Sequence, residues 1–314
     1  MLFICPHCNK KHTIDEKKIP ATATKARCSN CGKPFALNKT QQPSAEAPAE
    51  KKAPPVKKEG DSVVRKLGIS LSKGGVGKST TSINLSSGLA LAGFKVLLID
   101  TDTQGQDSFM LGLKPKAGLT ELVTGELSPK ECLTKARDNL WVLAGGKNLA
   151  GVKRLIDRKD YGGEMTVAEA LKPVENTFDF VIVDTSPGWD PLTVNVLFYI
   201  NELLIPVALD IMALQGLSEF LRSISSIQKY RPELELKYIL PTFEDKRVKR
   251  TSRILNKIGK IYGDRLCDPI RYNVRLSEAP AYGKTIYEYA PGCNGAQDYR
   301  ELVRKVANDP SLLS

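Results

Sequence analysis

The sequence predicts an α/β domain, a mainly parallel sheet flanked by helices, preceded by a small metal-stapled ribbon. Three observations carry this. From Val63 onward, short apolar runs alternate with segments of helical period, the pattern of parallel strands joined by crossover helices. One strand-to-helix junction is glycine-rich and ends in Lys78-Ser79-Thr80, as a phosphate-binding loop requires. Near the N-terminus two Cys-x-x-Cys pairs, Cys5/Cys8 and Cys28/Cys31, are separated by 19 residues.

The ribbon comes first. Two such cysteine pairs converge as four thiolates around a tetrahedral ion, so residues 1–37 are expected to bind Zn²⁺. Iron suits the same ligand set. The apolar residues around the pairs (Phe3, Ile4, Ile14, Ile19, Phe35) are too few for a core, and the metal would supply much of the folding free energy. His7 and His12 read as solvated, because four cysteines complete the shell. Residues 38–62 are dominated by Pro, Ala, Lys and Glu, the composition of a disordered, extended linker. The large domain is expected over 63–314.

Within it, the run Val63, Val64, Leu67, Ile69, Leu71 reads as a strand leading into residues 70–80. Glycines there let backbone N–H groups curl around an anion, and the following helix adds its positive N-terminal end. Lys78 would reach the β- and γ-phosphates and Ser79 would hold Mg²⁺. In the pattern G-x-x-x-x-G-K-[ST] the first glycine falls at Ser72, and Lys73 follows it. The loop turn has no use for that lysine.

Gly93 ends the first helix. Residues 95–99 form a buried strand delivering Asp100 and Asp102 at its C-terminal end, where open α/β sheets place ligands. A helix is expected over 118–137 and a strand over 140–144. Phe180-Val181-Ile182-Val183-Asp184 is an apolar run ended by an acid, placing Asp184 to act through Mg²⁺-bound water. The turn 185–188 would sense the γ-phosphate. Residues 203–207 read as a strand. Leu214, Leu217, Phe220, Leu221, Ile224 and Ile227 then recur at helical spacing, as core. Residues 236–240 make another strand, and a basic helix begins at 246.

Lys and Arg outnumber Asp and Glu by 46 to 35, a formal net charge of +11, which favours an acidic partner. Residues 243–275 hold ten Lys or Arg against four Asp or Glu. That excess is an expected phosphate-backbone surface, although a charge run is also the ordinary makeup of a solvated helix face. Without stacking aromatics beside it, DNA binding would be weakly sequence-selective. No apolar run approaches the roughly 18 residues of a membrane span. Cys5 and His7 come too early for a secretory signal peptide. Clustered cysteines suit a reducing cytosol, so a soluble cytoplasmic protein is expected.

Six motifs in order resemble the ParA/Soj partitioning ATPases, of the wider group that includes MinD: residues 73–80, 100–105, 183–188, 213–217, 273–280 and 295–299. The resemblance covers about 64–308. It implies a P-loop fold of the deviant Walker A type, with ATP and Mg²⁺ as cofactors. The ATP phosphates would be held by Lys73, Gly74, Gly75, Val76, Gly77, Lys78, Ser79 and Thr80, and Mg²⁺ by Ser79, Asp102 and Asp184. It also explains Lys73, which in this family crosses a dimer interface to the nucleotide of the other subunit. Lys73, Lys78 and Asp102 would then be catalytic, Asp102 by positioning water. Gly74 would stay small so that the second subunit can approach.

By the same resemblance the ATP-bound homodimer binds DNA without sequence preference, through Lys246, Arg247, Lys249, Arg250, Arg253, Arg271 and Arg275. Slow hydrolysis is stimulated by a ParB-like or other partner, and the protein is nucleoid-associated. The N-terminal ribbon and Cys293 depart from the family pattern. The ribbon leaves open a protein cargo. A MinD-like membrane cycle would need an amphipathic C-terminal helix, and 296–314 offers only Leu312 and Leu313 at its end. A cobyrinic-acid amidase or nitrogenase iron-protein relative is a further reading; Cys132, Cys267 and Cys293 lack the spacing of a shared cluster.

Overall fold

The computed structural model describes residues 2–4, 11–13, 25–36, 63–210, 212–245 and 247–313. The chain divides into two compact units, Met1–Ala53 and Pro54–Ser314. In the first, β1 (Leu2–Ile4) pairs with β2 (Lys11–Thr13) and β3 (Lys25–Arg27) with β4 (Pro34–Ala36), both antiparallel. Cys28 and Cys31 lie in the turn joining β3 to β4. Cys5, Cys8 and the linker 38–62 lie outside the described residues. The turn closes through Cys28 N–H to the Lys33 carbonyl (3.0 Å) and Gly32 N–H to the Cys28 carbonyl (2.9 Å). The Asn30 amide donates to Cys28 Sγ at 3.4 Å.

The second unit runs β5 (Arg65–Ile69), α1 (Lys78–Leu91), β6 (Val96–Asp100), α2 (Gln106–Met110), α3 (Leu119–Thr124), α4 (Pro129–Cys132), β7 (Leu133–Arg137) and β8 (Leu140–Leu143). It continues with α5 (Leu149–Asp157), α6 (Thr166–Glu175), β9 (Phe180–Asp184), α7 (Pro191–Tyr199), β10 (Glu202–Ala208), α8 (Ala213–Gln228) and β11 (Glu235–Glu244). The last elements are α9 (Lys249–Tyr262), β12 (Ile270–Arg271), α10 (Val274–Glu278), α11 (Ile286–Tyr289) and α12 (Asn294–Ala307). The strands form one sheet in the order β12-β11-β10-β5-β9-β6-β8-β7. Its pairs are parallel except that of edge strand β7 with β8.

Two cores sandwich this sheet, and the alternation along each strand shows how. Leu97, Ile99, Val181 and Val183 face one core with α3, α5, α6, α7 and α8. Val96, Leu98, Phe180 and Ile182 face the other, with α1, α11 and α12. Both faces are covered, so the central strands read as unbroken apolar runs.

The helix expected over 118–137 is not continuous. Gly125, at φ 73°, ends α3 in the left-handed region; Ser128 and Glu131 cap a new turn, and the chain then extends as β7. Gly118 lies close under β8: a β-carbon there would stand 2.2 Å from the Ala144 carbonyl oxygen, backbone that cannot move aside. Gly118→Ala is therefore expected to destabilise the fold by about 1–3 kcal/mol, measured as a lower urea midpoint at unchanged m-value. After α12, Arg304 donates to the carbonyls of Leu312 (2.8 Å) and Leu313 (3.2 Å), and Leu313 packs against the core. Among the described residues no helix is long and apolar enough to cross a membrane.

Candidate nucleotide site and basic surface

The C-terminal ends of β5, β6, β9, β10 and β11 open on one side of the sheet, and the strand register sets what meets there. Ile69, the last residue of β5, is opposite Asp184, and Asp184 is opposite Asp100. From Ile69 the chain turns through residues 70–77 and enters α1 at Lys78. Gly75 and Gly77 lie at φ 70° and 91°, a region that side-chain-bearing residues avoid. The Thr242 hydroxyl, near the end of β11, donates to the Val76 carbonyl at 2.9 Å and pins the turn. The result is a curled backbone on the N-terminus of a 14-residue helix, an anion cradle.

The two lysines of this loop part company. Lys78 is buried, and its ammonium donates to the Lys73 carbonyl at 2.9 Å. Burial lowers its pKa, while Asp184 and Asp102 pull it back up. Lys73 leaves the loop: its ammonium pairs with Asp210, just past β10, at 2.6 Å, both side chains remaining about 40% exposed (38% and 43%). An ion pair that open to solvent contributes about 0–1 kcal/mol. It holds Lys73 loosely.

The acids are ranked by depth. Asp184 is buried; Oδ2 accepts from the Ser79 hydroxyl and Oδ1 from the Ser82 hydroxyl, each at 2.7 Å. Asp100 is buried and accepts the N–H groups of Asp102 (2.9 Å) and Asp107 (3.2 Å). Burial, with the neighbouring Asp184, pushes the Asp100 pKa up to about 7. Burial raises Asp184 to about 6 against the pull of its two hydroxyl partners and Lys78. Asp107, on α2, is buried beside them, and burial with the neighbouring Asp184 pushes its pKa upward. Asp102 is half-buried and accepts the Gln104 N–H at 2.9 Å, at the rim of the group.

Thr185, after β9, donates its hydroxyl to the Ile69 carbonyl at 3.0 Å. Asp190 caps α7 through the Thr193 amide (2.8 Å) and pairs with Lys153 (2.6 Å). The turn expected to sense phosphate is thus tied to β5 and to α7.

Sequence reasoning named Lys73, Gly74–Thr80, Asp102 and Asp184, and the structure brings all of them to this end of the sheet. It missed Ser82, Asp107, Asp210 and Thr242. Ser82 was legible, being one helical turn beyond Ser79 on the same face. Asp210 and Thr242 were not, since their partners lie 137 and 166 residues away.

The residues expected to contact DNA divide into two sets. Lys249, Arg250 and Arg253 are exposed on α9, whose opposite side buries Thr251, Ile254 and Ile258. None of the three is ion-paired among the described residues. Arg247 pairs with Asp245 (2.8 Å), Arg271 with Asp298 (2.5 Å) and Arg275 with Glu278 (3.0 Å). Arg271 also donates its backbone N–H to Asp298, which makes it a strut between β12 and α12. Lys246 lies outside the described residues.

Comparison with known proteins agrees with this geometry. A family model described as an AAA domain matches residues 64–236, and one described as a zinc-ribbon domain matches residues 1–36. The chromosome-partitioning ATPase Soj of Treponema pallidum is 35% identical over 238 residues, 74% of this chain and 93% of that protein. The sporulation initiation inhibitor protein Soj of Bacillus subtilis is 35% identical over 249 residues, 77% of this chain and 97% of that protein. Among solved structures, a cobyrinic acid a,c-diamide synthase from Mycobacterium smegmatis with bound ATP analog and magnesium superposes with a TM-score of 0.68. It is 28% identical, covering 78% of this chain and 95% of that one. With its phosphate cradle, its paired strand-end acids and a match that spans more than nine-tenths of the Soj proteins, the chain belongs to the ParA/Soj family of partitioning ATPases.

Proposed function

We propose that this ATPase is a dimerising switch: ATP joins two subunits face to face, the dimer binds DNA without sequence preference, and hydrolysis releases it. The observation that carries this reading is the divergence of the two loop lysines. Lys78 serves its own loop, while Lys73 reaches outward to an exposed, easily broken partner. A lysine so placed is available to phosphate presented by a second subunit.

In this reading the loop 73–80 binds the ATP phosphates, Lys78 from within the subunit and Lys73 from its neighbour. Ser79, Asp184 and Asp102 offer hard oxygen donors, the set that Mg²⁺ prefers, and the Ser79 hydroxyl already meets Asp184. Bound Mg²⁺ would neutralise phosphate charge as the bond breaks. Asp102, at the rim, orients the attacking water and accepts its proton. Gly74 keeps the approach of the second subunit open; a β-carbon there would already touch Pro187 at 3.8 Å.

The basic face of α9, with Lys249, Arg250 and Arg253, is the DNA surface. Arg247, Arg271 and Arg275 join it only by giving up their present carboxylate partners. Cys28 and Cys31 sit in a tight turn whose amide-to-sulfur bond suits a thiolate ligand, and with Cys5 and Cys8 they would hold Zn²⁺. The ribbon would dock a partner or cargo, and a ParB-like protein would stimulate hydrolysis. The working location is the nucleoid in the cytoplasm. A membrane-cycling role is disfavoured by the inward packing of Leu313.

The test is DNA retention in a mobility-shift assay. Wild-type protein is expected to shift DNA only with ATP, and Lys78→Ala not at all. Arg250→Glu/Arg253→Glu is expected to weaken binding at least about tenfold and to flatten the salt dependence by about one unit of slope per lost phosphate contact. Unchanged retention in both variants would overturn the DNA assignment.

A further inference from the structure

Asp107 has no place in the scheme above, yet it is among the most deeply buried acids of the chain. Gly105, at φ 62°, turns the chain sharply after β6. Asp107 in the first turn of α2 is thereby carried back against the strand ends. It is 0% exposed, and among the described residues neither of its carboxylate oxygens has a hydrogen-bond partner. One oxygen from each of Asp100, Asp107 and Asp184 lies within 4.8 Å of the other two.

Three carboxylates in one dry space repel one another, and a buried anion without a counter-charge is heavily penalised. Asp100 is partly compensated by two N–H donors and Asp184 by two hydroxyls. Asp107 has neither. The Lys78 ammonium acts on Asp184, whereas the charged groups acting on Asp107 are all acids. What Asp107 lacks is a positive partner. Oxygens that share one hard divalent cation stand no further apart than twice the metal–oxygen distance, about 4.2 Å for Mg²⁺ and about 4.8 Å for a larger ion. Three oxygens within 4.8 Å of one another are close enough to share such an ion.

We propose that Asp100, Asp107 and Asp184 form a cage for a hard divalent cation, held in the nucleotide-free protein behind the phosphate loop. The donor set is all oxygen, which selects Mg²⁺, Mn²⁺ or Ca²⁺ over soft metals. The site differs from the one assigned to nucleotide-bound Mg²⁺, because it uses Asp107, omits Ser79 and needs no phosphate. Asp184 is common to both. A cation here ties the end of β6 to the end of β9 and sets the carboxylates in place before ATP arrives. Neither dimerisation nor hydrolysis is required, so the cage stands or falls apart from the switch described above.

The test is Mn²⁺ binding to full-length, nucleotide-free protein, followed by loss of the free-ion signal in electron paramagnetic resonance. Mn²⁺ does not compete for a four-cysteine ribbon. About one bound Mn²⁺ per chain is expected, with affinity falling at least about tenfold in Asp107→Asn and Asp107→Ala. Asp138→Asn, a 98% exposed acid just before β8 at the other end of the sheet, is expected to bind as the wild type does. A second measurement covers variants that fold poorly: Mn²⁺ without nucleotide is expected to raise the melting temperature of the wild-type protein. Absence of both binding and stabilisation in the wild type, or undiminished binding in Asp107→Asn, would overturn the proposal.

Discussion

Lys73→Ala is expected to lose ATP hydrolysis by at least about 10²- to 10³-fold, the cost of removing a charge aimed at the transition state, while a fluorescent ATP analogue still binds the single subunit. Lys78 explains the retained binding. It is the lysine committed to its own loop, buried and bonded to the Lys73 carbonyl; that acceptor is backbone and survives the substitution. Lys73 itself gives up only an exposed contact to Asp210. Leaving Asp210 costs about 0–1 kcal/mol, so little holds Lys73 back from a phosphate that a second subunit presents. Stopped-flow binding beside steady-state phosphate release would separate the two effects.

Asp102→Ala is expected to show the complementary phenotype, with hydrolysis reduced by about 10²- to 10⁴-fold and both dimer formation and DNA retention persisting in ATP. The reason lies in how differently the neighbouring acids are placed. Asp100 and Asp184 are buried and bonded to the scaffold, so their removal disturbs the strand ends. Asp102 is half-buried at the rim, with only the Gln104 amide on its carboxylate among the described residues, and can turn toward water without unfolding anything. Size-exclusion chromatography with light scattering in ATP, run beside a phosphate-release assay, would show a trapped dimer. A monomeric Asp102→Ala protein would mean that this acid closes the dimer rather than drives the chemistry.

The sheet and the phosphate loop were legible because their signals are local. Val96 to Asp100 and Phe180 to Asp184 are apolar runs closed by an acid, and burial on both faces makes such runs continuous. Gly75 and Gly77 announce left-handed turns by composition alone. The stretch 118–137 misled because Leu119, Leu122 and Val123 do form a helical face. Gly125 and the Ser128–Glu131 cap then interrupt it, and tertiary pairing with β8 takes 133–137 into the sheet. Within the site, the missed residues act across the fold. Nothing near Asp210 marks it as the partner of Lys73, and nothing in Gln106-Asp107 says that the second residue turns inward. Arg271 shows the same limit: its charge suggested a phosphate contact, and nothing near it in the sequence marks its pairing with Asp298.

The claim that joins these points is that each active site draws on two subunits, with Lys73 supplied in trans. Mixing two inactive proteins, Lys73→Ala and Asp102→Ala, tests it most directly. In a mixed dimer, one site combines Asp102 from the first subunit with Lys73 from the second, while the other site lacks both. Equal mixing is therefore expected to restore about a quarter of wild-type ATPase activity, since half of randomly formed twofold dimers are mixed and each carries one complete site. If Lys73 instead serves the nucleotide of its own subunit, every site in the mixture lacks one residue or the other, and mixing that restores no activity would contradict the assignment.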